Sequence, residues 1–289
     1  MKTKVRIVML FSFLSWIAIC PLAMAHNLWL NPGDYYPKVG STVDIGIGWG
    51  HKYPAGRVDQ EVKEDRVEAI SVIDPDGLPV TLARESAALY KLSIEKEGAY
   101  LITAKIKPGF FTTTSEGRKW GDKKSVEKPI KCTNFHINAQ TVVIAGGTDK
   151  HLGHSTGQSL EVVPLSNPQL LKKGDNLSVK VLFDGKPLAN AAVKATFAGF
   201  ETEDIAPQGT PAKDAKAGGN EKGGKSDKSA AKRFPVETVT DEAGLASLPL
   251  NQAGYWMVML SHKPPFADPQ ICDECMYNMA FTFQIQATP

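Results

Sequence analysis

The sequence lacks the motifs of the common hydrolases and nucleotide-binding enzymes. It has no Gly-x-Ser-x-Gly nucleophile motif, no His-Glu-x-x-His zinc motif and no phosphate loop. Beyond the N-terminus, no apolar run is long enough to span a bilayer. The 33 basic residues nearly balance the 31 acidic ones, so no excess charge favours nucleic acid or an anionic membrane. We expect a protein without catalysis and without a membrane span in the mature chain.

The first 25 residues have the pattern of a secretory signal peptide. Three basic residues precede the apolar run IVMLFSFLSWIAIC, and residues 23–25 (AMA) match the small-x-small cleavage pattern. We expect residues 1–25 to be removed and the mature chain, exported to the periplasm, to begin at His26. The mature chain would carry 30 basic and 31 acidic residues.

Long helical periods are scarce in the rest of the chain, whereas short alternating runs are common. Such runs include STVDIGIGW, AYLITAKI, YWMVMLS and MAFTFQIQ, and turn sequences such as DPDG, KKGDN and FDGKP separate them. This pattern is typical of antiparallel β-sandwiches. The sequence therefore predicts an all-β protein with two antiparallel β-sandwich domains of the immunoglobulin-like or prealbumin-like kind.

A weak internal echo supports two domains of related plan. GAYLITAKIKPGF, residues 98–110, aligns with GYWMVMLSHKPPF, residues 254–266, with Gly, Lys, Pro and Phe at the same offsets. A coincidence of strand sequences would give the same match. We predict an N-terminal domain over residues 26–148 and a C-terminal domain over residues 160–289.

Two segments differ from the domains in composition. Residues 149–159 lie in a Gly- and Pro-rich stretch without a sustained period, and are predicted to link the domains. Residues 207–233 contain no apolar side chain larger than Ala and are rich in Lys, Gly, Asp and Ser. Because this segment can bury little apolar surface, we predict a disordered insertion in the second domain.

Three cysteines remain after removal of the leader: Cys132, Cys272 and Cys275. The CDEC motif is compatible with a redox pair, with a metal clip, or with half of a disulfide to Cys132. Because export leads to an oxidising compartment, a structural disulfide with one thiol left over is favoured.

His26 is the first candidate metal ligand. A histidine at the mature N-terminus offers its α-amine and its imidazole to one metal ion. The α-amine has an ordinary pKa of about 7.7–8.0, so a transition metal can displace its proton near neutral pH. Nitrogen donors of this kind suit Ni(II), Co(II), Cu(II) and Zn(II). The alternative is a solvated terminal histidine without function.

His51 and His262 are the predicted partners of His26. His51 follows a strand in which three glycines alternate, and such a bare face often marks the close approach of a backbone or a ligand. His262 follows the strand YWMVMLS, at a position that is apolar in the other copy of the echo. The alternative for His262 is a histidine that only satisfies a strand end. His151 and His154, in HLGH, form a second-ranked pair, and His136 is given no role.

Four segments together resemble a family of exported bacterial proteins. These are AHNLWLNP, GWGHKYP, the long block from GHSTGQSLEVVPLSNP to DGKPLANAAVKATF, and VTDEAGLASLPLNQAGYWMVMLSH. They resemble the NikK/NikM-type periplasmic component of nickel and cobalt uptake systems over nearly all of the mature chain. The resemblance implies that His26 and His51 correspond to histidines that recur in the family. It also implies that the partner is an energy-coupled inner-membrane importer. The Cys-x-x-Cys motif and the Lys/Gly-rich insertion depart from the family pattern.

The predicted function is binding and delivery of Ni(II), or of Co(II) or Cu(II), by His26, His51 and His262 in the periplasm. By the Irving–Williams order an isolated nitrogen site prefers copper, so nickel selectivity would depend on geometry or metal supply. One alternative is a copper-binding or copper-dependent oxidative protein that uses the same N-terminal chelate. Another is a metal-free structural or adhesion module.

Overall fold

A computed structural model of the chain describes residues 27–50, 53, 62–200 and 234–286. Within these ranges the chain forms β-strands and two three-residue 3₁₀ helices, Glu64–Arg66 and Pro168–Leu170, but no α-helix. The predicted all-β class with antiparallel β-sandwich packing is confirmed. The predicted leader, residues 1–25, and the predicted insertion, residues 207–233, lie outside the described residues.

The described strands form three sheets, which we call the N-terminal, central and C-terminal sheets. The N-terminal sheet contains β1 (Asn27–Pro32), β2 (Thr42–Gly50), β5 (Ala83–Arg84) and β6 (Leu89–Ser93). The central sheet contains β3 (Val67–Ile73), β4 (Pro79–Val80), β7 (Gly98–Ile106), β8 (Gly109–Thr114), β9 (Gly117–Trp120), β10 (Lys131–Ala145), β14 (Ala192–Phe197), β15 (Val236–Val239), β17 (Gly254–His262) and β18 (Glu274–Ile285). The C-terminal sheet contains β11 (Leu160–Pro164), β12 (Asn176–Phe183), β13 (Lys186–Pro187) and β16 (Leu245–Pro249).

The central sheet is built from both halves of the chain. Its main order is β15-β14-β17-β18-β10-β7-β3-β4, and β8 and β9 extend from the first part of β10. The pairing between β10 and β18 is parallel, from Thr133↔Glu274 to Thr141↔Thr282. The boundaries at 26–148 and 160–289 stay a prediction, but strands from both regions share this sheet.

Each face of the central sheet is covered by a different small sheet. Alternate residues of β7 point to opposite faces. Tyr100 and Ile102 pack in one apolar core with Leu28, Leu30 and other residues of the N-terminal sheet. Leu101 packs on the other side, in a core with residues of the C-terminal sheet. We call these two sides the N-terminal face and the C-terminal face.

The internal echo corresponds to two strands with matching bounds, β7 and β17. The third residue of each strand forms a hydrogen bond with the backbone four residues upstream: the Tyr100 hydroxyl accepts from the Lys96 amide, and Trp256 Nε1 donates to the Gln252 carbonyl. Tyr100 points to the N-terminal face, whereas Trp256 points to the C-terminal face. Equivalent residues therefore point to the core of their own sandwich.

A disulfide joins Cys132 to Cys272 and leaves Cys275 free. The structural-disulfide interpretation of the CDEC motif is confirmed, including the leftover thiol. The bond lies beside the start of the parallel pair of β10 and β18, where Lys123 also pairs with Asp273. It thus crosslinks the two halves of the chain at one end of their shared sheet.

Candidate functional site

Two of the three predicted metal ligands, His26 and His51, lie outside the described residues. Their covalent neighbours are described: Asn27 pairs with Gly50 at the end of the β1–β2 ladder. From this pair the ladder runs without interruption to Pro32↔Ile45. The register of β1 and β2 is therefore defined up to Asn27 and Gly50, which are next to His26 and His51 in the chain.

The glycine-rich strand β2 does allow a close approach, and the approaching group is Trp29. Trp29 lies opposite Gly48 in the register, and a β-carbon added to Gly48 would be 1.9 Å from the indole Nε1. At Gly46 the nearest atom would be 3.5 Å away. The bare face of β2 therefore holds an indole of the neighbouring strand. The Trp29 Nε1 is buried without a hydrogen-bond partner among the described residues.

A compact cluster of aromatic and sulfur-containing side chains surrounds this indole. Trp29, Tyr53, Met257 and Ala280 are buried together, and Met259 packs against them. The rings of Trp29 and Tyr53 meet edge to face with centroids 5.8 Å apart. Burial raises the pKa of Tyr53 well above its ordinary value. We call this group, with Met259, the thioether cluster.

The thioether cluster reaches the end of the β1–β2 ladder through Met259. The side-chain amide of Asn27 donates to Met259 Sδ over 3.6 Å. Asn27 follows His26 directly in the chain, so the thioether contacts the residue next to the predicted N-terminal ligand. Sequence reasoning missed Met259. The signal in the sequence was that Met257 and Met259 lie on the same face of β17, with apolar residues between and beside them.

His262 lies on the C-terminal face. It shares the phase of Trp256, Val258 and Leu260, while Met259 has the opposite phase. The His262 ring contacts the ring of Phe183 with centroids 4.5 Å apart. Burial lowers the pKa of His262 below its ordinary value. Its described contacts are thus with the C-terminal sheet, on the other side of the strand from the Asn27–Met259 contact.

A second polar constellation occupies the C-terminal face beside His262. In the sheet register, Tyr277 is opposite His262 on one side and His136 on the other. The His136 and Tyr277 rings are stacked, with centroids 4.4 Å apart and planes inclined by 14°. His136 Nε2 is 2.6 Å from Asn134 Oδ1, and burial lowers the pKa of His136. Sequence reasoning gave His136 no role.

A cleft of about 360 Å³ opens over this constellation, and we call it the polar cleft. Its floor is the C-terminal face of β3, β7, β10 and β18, and its wall is the segment 156–159 that precedes β11. The polar side chains in its lining include those of Ser71, Thr103, Lys105, His136, Asn138, Gln158 and Tyr277. The signal in the sequence is polar residues in an apolar phase: His136, Asn138 and Gln140 precede Val142 and Ile144 along the same face of β10.

The second-ranked pair, His151 and His154, forms a ring stack. The two centroids are 4.1 Å apart and the planes are inclined by 7°. Burial lowers the pKa of His151, and the nearby carboxylates of Asp74 and Asp76 are paired with Lys96. Over residues 27–50, 53, 62–200 and 234–286, no three His, Cys, Asp or Glu side chains are grouped so that they could hold a metal ion.

Residues 23–264 match the model of a protein family described as a domain of unknown function, DUF4198, and the chain belongs to this family. No curated protein sequence matches the chain. Among the ranges that the structure describes, no helix has the length and apolar character needed to cross a membrane.

The chain is similar to several solved structures at low overall agreement. The D0-D1 domain of intimin is 12% identical, with 88% of this chain and 97% of that chain covered and a TM-score of 0.21. Fibronectin(III)-like modules of CbhA from Clostridium thermocellum are 6% identical over 89% and 94% of the two chains, with a TM-score of 0.19. Murine CEACAM1b is 8% identical over 91% and 100%, with a TM-score of 0.20.

Proposed function

We propose that this protein binds a transition-metal ion, with nickel as the preferred cargo, and delivers it in the periplasm to an energy-coupled inner-membrane importer. The proposal follows the resemblance to the NikK/NikM-type component and the chemistry of an N-terminal histidine. In this proposal His26 supplies its amine and imidazole nitrogens, and His51 supplies a third nitrogen. Cobalt is the second candidate cargo of the same nitrogen donors.

The observation that carries the proposal is the pairing of Asn27 with Gly50. Paired α-carbons in an antiparallel ladder are about 4.5–5.5 Å apart, and consecutive α-carbons are about 3.8 Å apart. Because His26 precedes Asn27 and His51 follows Gly50 in the chain, this pairing of their covalent neighbours supports the proposal that the two histidines share one ion.

His262 is the weakest member of the predicted ligand set. Its ring packs on Phe183 on the C-terminal face, whereas Asn27 contacts Met259 on the other side of β17. We keep His262 in the proposal as a residue to be tested, and expect it to contribute less to metal affinity than His26 and His51. A cation that reaches it would also have to displace the Phe183 contact.

Calorimetric titration of the chain that begins at His26 tests the proposal. We expect one Ni(II) ion to bind with a submicromolar dissociation constant, and His26→Ala and His51→Ala each to weaken binding by about 100-fold or more. His154→Ala is the matched control, because His154 is exposed and stacks on His151. Binding that all three variants share equally would contradict the site. Absence of Ni(II) binding by the parent chain would leave a metal-free structural module as the better account.

The copper alternative is favoured by a separate observation, the Asn27–Met259 contact. Thioether sulfur is a soft ligand that suits Cu(I), while nickel sites of nitrogen donors do not need it. If copper is the cargo, Met259→Leu should weaken Cu(I) binding about tenfold and leave Ni(II) binding unchanged. Met276→Leu, a half-buried methionine nearer the start of β18, is the matched control. Equal Cu(I) affinity in both variants and the parent chain would remove this alternative.

A further inference from the structure

We propose that the polar cleft binds a small neutral polyhydroxylated molecule of monosaccharide size, independently of the metal. The cleft holds about 360 Å³, at the lower end of the range of about 300–1,000 Å³ for small-molecule sites. Its lining consists wholly of described residues of β3, β7, β10, β18 and the 156–159 wall. It lies on the opposite face of the central sheet from the thioether cluster.

The C-terminal face of the central sheet changes from apolar to polar at one level. Along β10, Ile144 and Val142 lie in the apolar core of the C-terminal sandwich, and Gln140, Asn138 and His136 continue the same phase. The neighbouring strand β7 changes in step, from Leu101 to Thr103 and Lys105, because Thr103 is opposite Gln140 and Lys105 is opposite Asn138. Two adjacent strands thus become polar at the edge of the covered core.

Several polar groups at this level have no hydrogen-bond partner among the described residues. Gln140 is fully buried, and neither its amide nitrogen nor its carbonyl oxygen has a hydrogen-bond partner among the described residues. The same holds for Gln158 Oε1 and Thr156 Oγ1 in the cleft wall. A buried polar group without a partner costs about 1–3 kcal/mol. A ligand hydroxyl that forms hydrogen bonds with the wall groups would recover part of this cost.

The lining of the polar cleft has no uncompensated charge. Lys105 Nζ pairs with Glu68 Oε1 at 3.1 Å. Burial lowers the pKa of His136, so its imidazole is neutral at pH 7. The remaining polar groups are amides and hydroxyls, which both donate and accept hydrogen bonds, as sugar hydroxyls do. An anion or cation would find no net opposite charge, whereas a neutral polyol matches every group.

The stacked His136 and Tyr277 rings supply an apolar surface in the same cleft. Ring faces pack against C–H groups, and the Tyr277 hydroxyl adds a polar end. The combination of ring, amide and hydroxyl groups discriminates a sugar or cyclic polyol from a purely polar solute. We therefore assign a hexose or an inositol-like ring as the ligand class.

Ligand-detected NMR and calorimetry on chelator-treated protein test the proposal with a panel of glucose, galactose, mannose, glucosamine, myo-inositol, glucuronate and inorganic phosphate. We expect saturable binding of at least one neutral member with a dissociation constant of about 1 mM or tighter. Gln158→Ala should weaken it about tenfold, because a ligand hydroxyl would lose its partner. Ser71→Trp, which places a large ring in the cleft, should abolish it. Unchanged melting temperatures would show that both variants fold.

Gln252→Ala is the matched control, because Gln252 is exposed and precedes the other end of β17. It should leave the affinity unchanged. The assignment would be overturned if only glucuronate or phosphate bound, or if no neutral member bound. It would also be overturned if Gln158→Ala and Ser71→Trp bound the ligand as tightly as the parent chain does. Since the chelator removes transition metals, these results are independent of the metal titrations.

Discussion

The two faces of the central sheet are both buried at their centres but differ at their ends. On the N-terminal face the apolar core passes into Trp29, Tyr53 and the two methionines of the thioether cluster. On the C-terminal face the core passes into the stacked pair of His136 and Tyr277 and the amides of the polar cleft. One sheet therefore presents a soft, sulfur-containing environment on one side and a neutral, hydrogen-bonding one on the other.

This difference changes the interpretation of His262. Its position at the end of β17 suggested a place in the metal site, yet its ring packs on Phe183 beside Tyr277. Strand alternation decides the matter, because adjacent residues of β17 point to opposite faces. His262 is three positions from Met259 in the chain, but the two side chains lie on opposite faces of the sheet and contact different residues.

Large-to-small substitutions in each apolar core test whether the two cores unfold together. Phe281→Ala on the C-terminal face should cost about 3–5 kcal/mol and Leu30→Ala on the N-terminal face about 2–5 kcal/mol, because both side chains are fully buried. Since both cores share the central sheet, each variant should shift one common transition. Urea unfolding followed by circular dichroism and tryptophan fluorescence checks this. Two separate transitions, each moved by one variant only, would show that the cores are independent.

The next largest effect concerns the bond that holds the two halves of the sheet together. The Cys132–Cys272 bond closes a separation of 140 residues, and replacing both cysteines by serine should cost about 2–5 kcal/mol. Cys275→Ser, which leaves the disulfide intact, should change the stability by no more than about 0.5 kcal/mol. Hydrogen exchange should show the greatest loss of protection at the start of β18, beside the polar cleft. Uniform loss over both faces would contradict a local role.

A smaller loss of stability is expected from a substitution on the N-terminal face. Gly48→Ala places a β-carbon 1.9 Å from the Trp29 indole, so the ring must move, at a cost of about 1–3 kcal/mol. Gly46→Ala is the matched control, because its nearest atoms are 3.5 Å or more away. Thermal unfolding and the near-ultraviolet circular dichroism of tryptophan report the change. If both substitutions have the same effect, the close packing of Trp29 over β2 is wrong.

The smallest expected effect is a pH dependence of the folding stability that comes from His136 on the C-terminal face. Burial lowers the pKa of His136 in the folded protein, so the unfolded chain binds a proton first as the pH falls. The contribution of neutral His136 is complete above the unfolded pKa of about 6.5 and decreases below it. We expect the stability to decrease from pH 7 to pH 5, and His136→Gln to make this decrease shallower. An identical pH profile in the variant would show that His136 does not titrate on unfolding.

The strands and their class could be predicted from the sequence because alternation and turns are local signals. The two echo segments begin at Gly98 and Gly254, where β7 and β17 also begin. The shared sheet could not be predicted, since the parallel pairing joins residues 141 positions apart, Thr133 and Glu274 for example, and leaves no local pattern. The cysteine spacing left the pairing open for the same reason.

The site was predictable in part. The bare face of β2 was expected to admit a backbone or a ligand, whereas among the described residues the side chain of Trp29 makes the close approach at Gly48. The polar cleft was missed because a single histidine in a strand carries little signal. The alternation of His136 with Asn138 and Gln140, in phase with Val142, would have indicated it. Similarly, the alignment of His262 with Ile106, which points into its own sandwich core, indicates that His262 points to the C-terminal face.

The most direct measurement compares Ni(II) and Cu(II) titrations of two chains, one beginning at His26 and one with a single glycine ahead of it. We expect the added residue to weaken binding about tenfold or more, because the α-amine and the imidazole no longer belong to the same residue. The stability of the metal-free chains should be the same. Equal metal affinity in the two chains would contradict an N-terminal chelate and, with it, the proposed metal-delivery function.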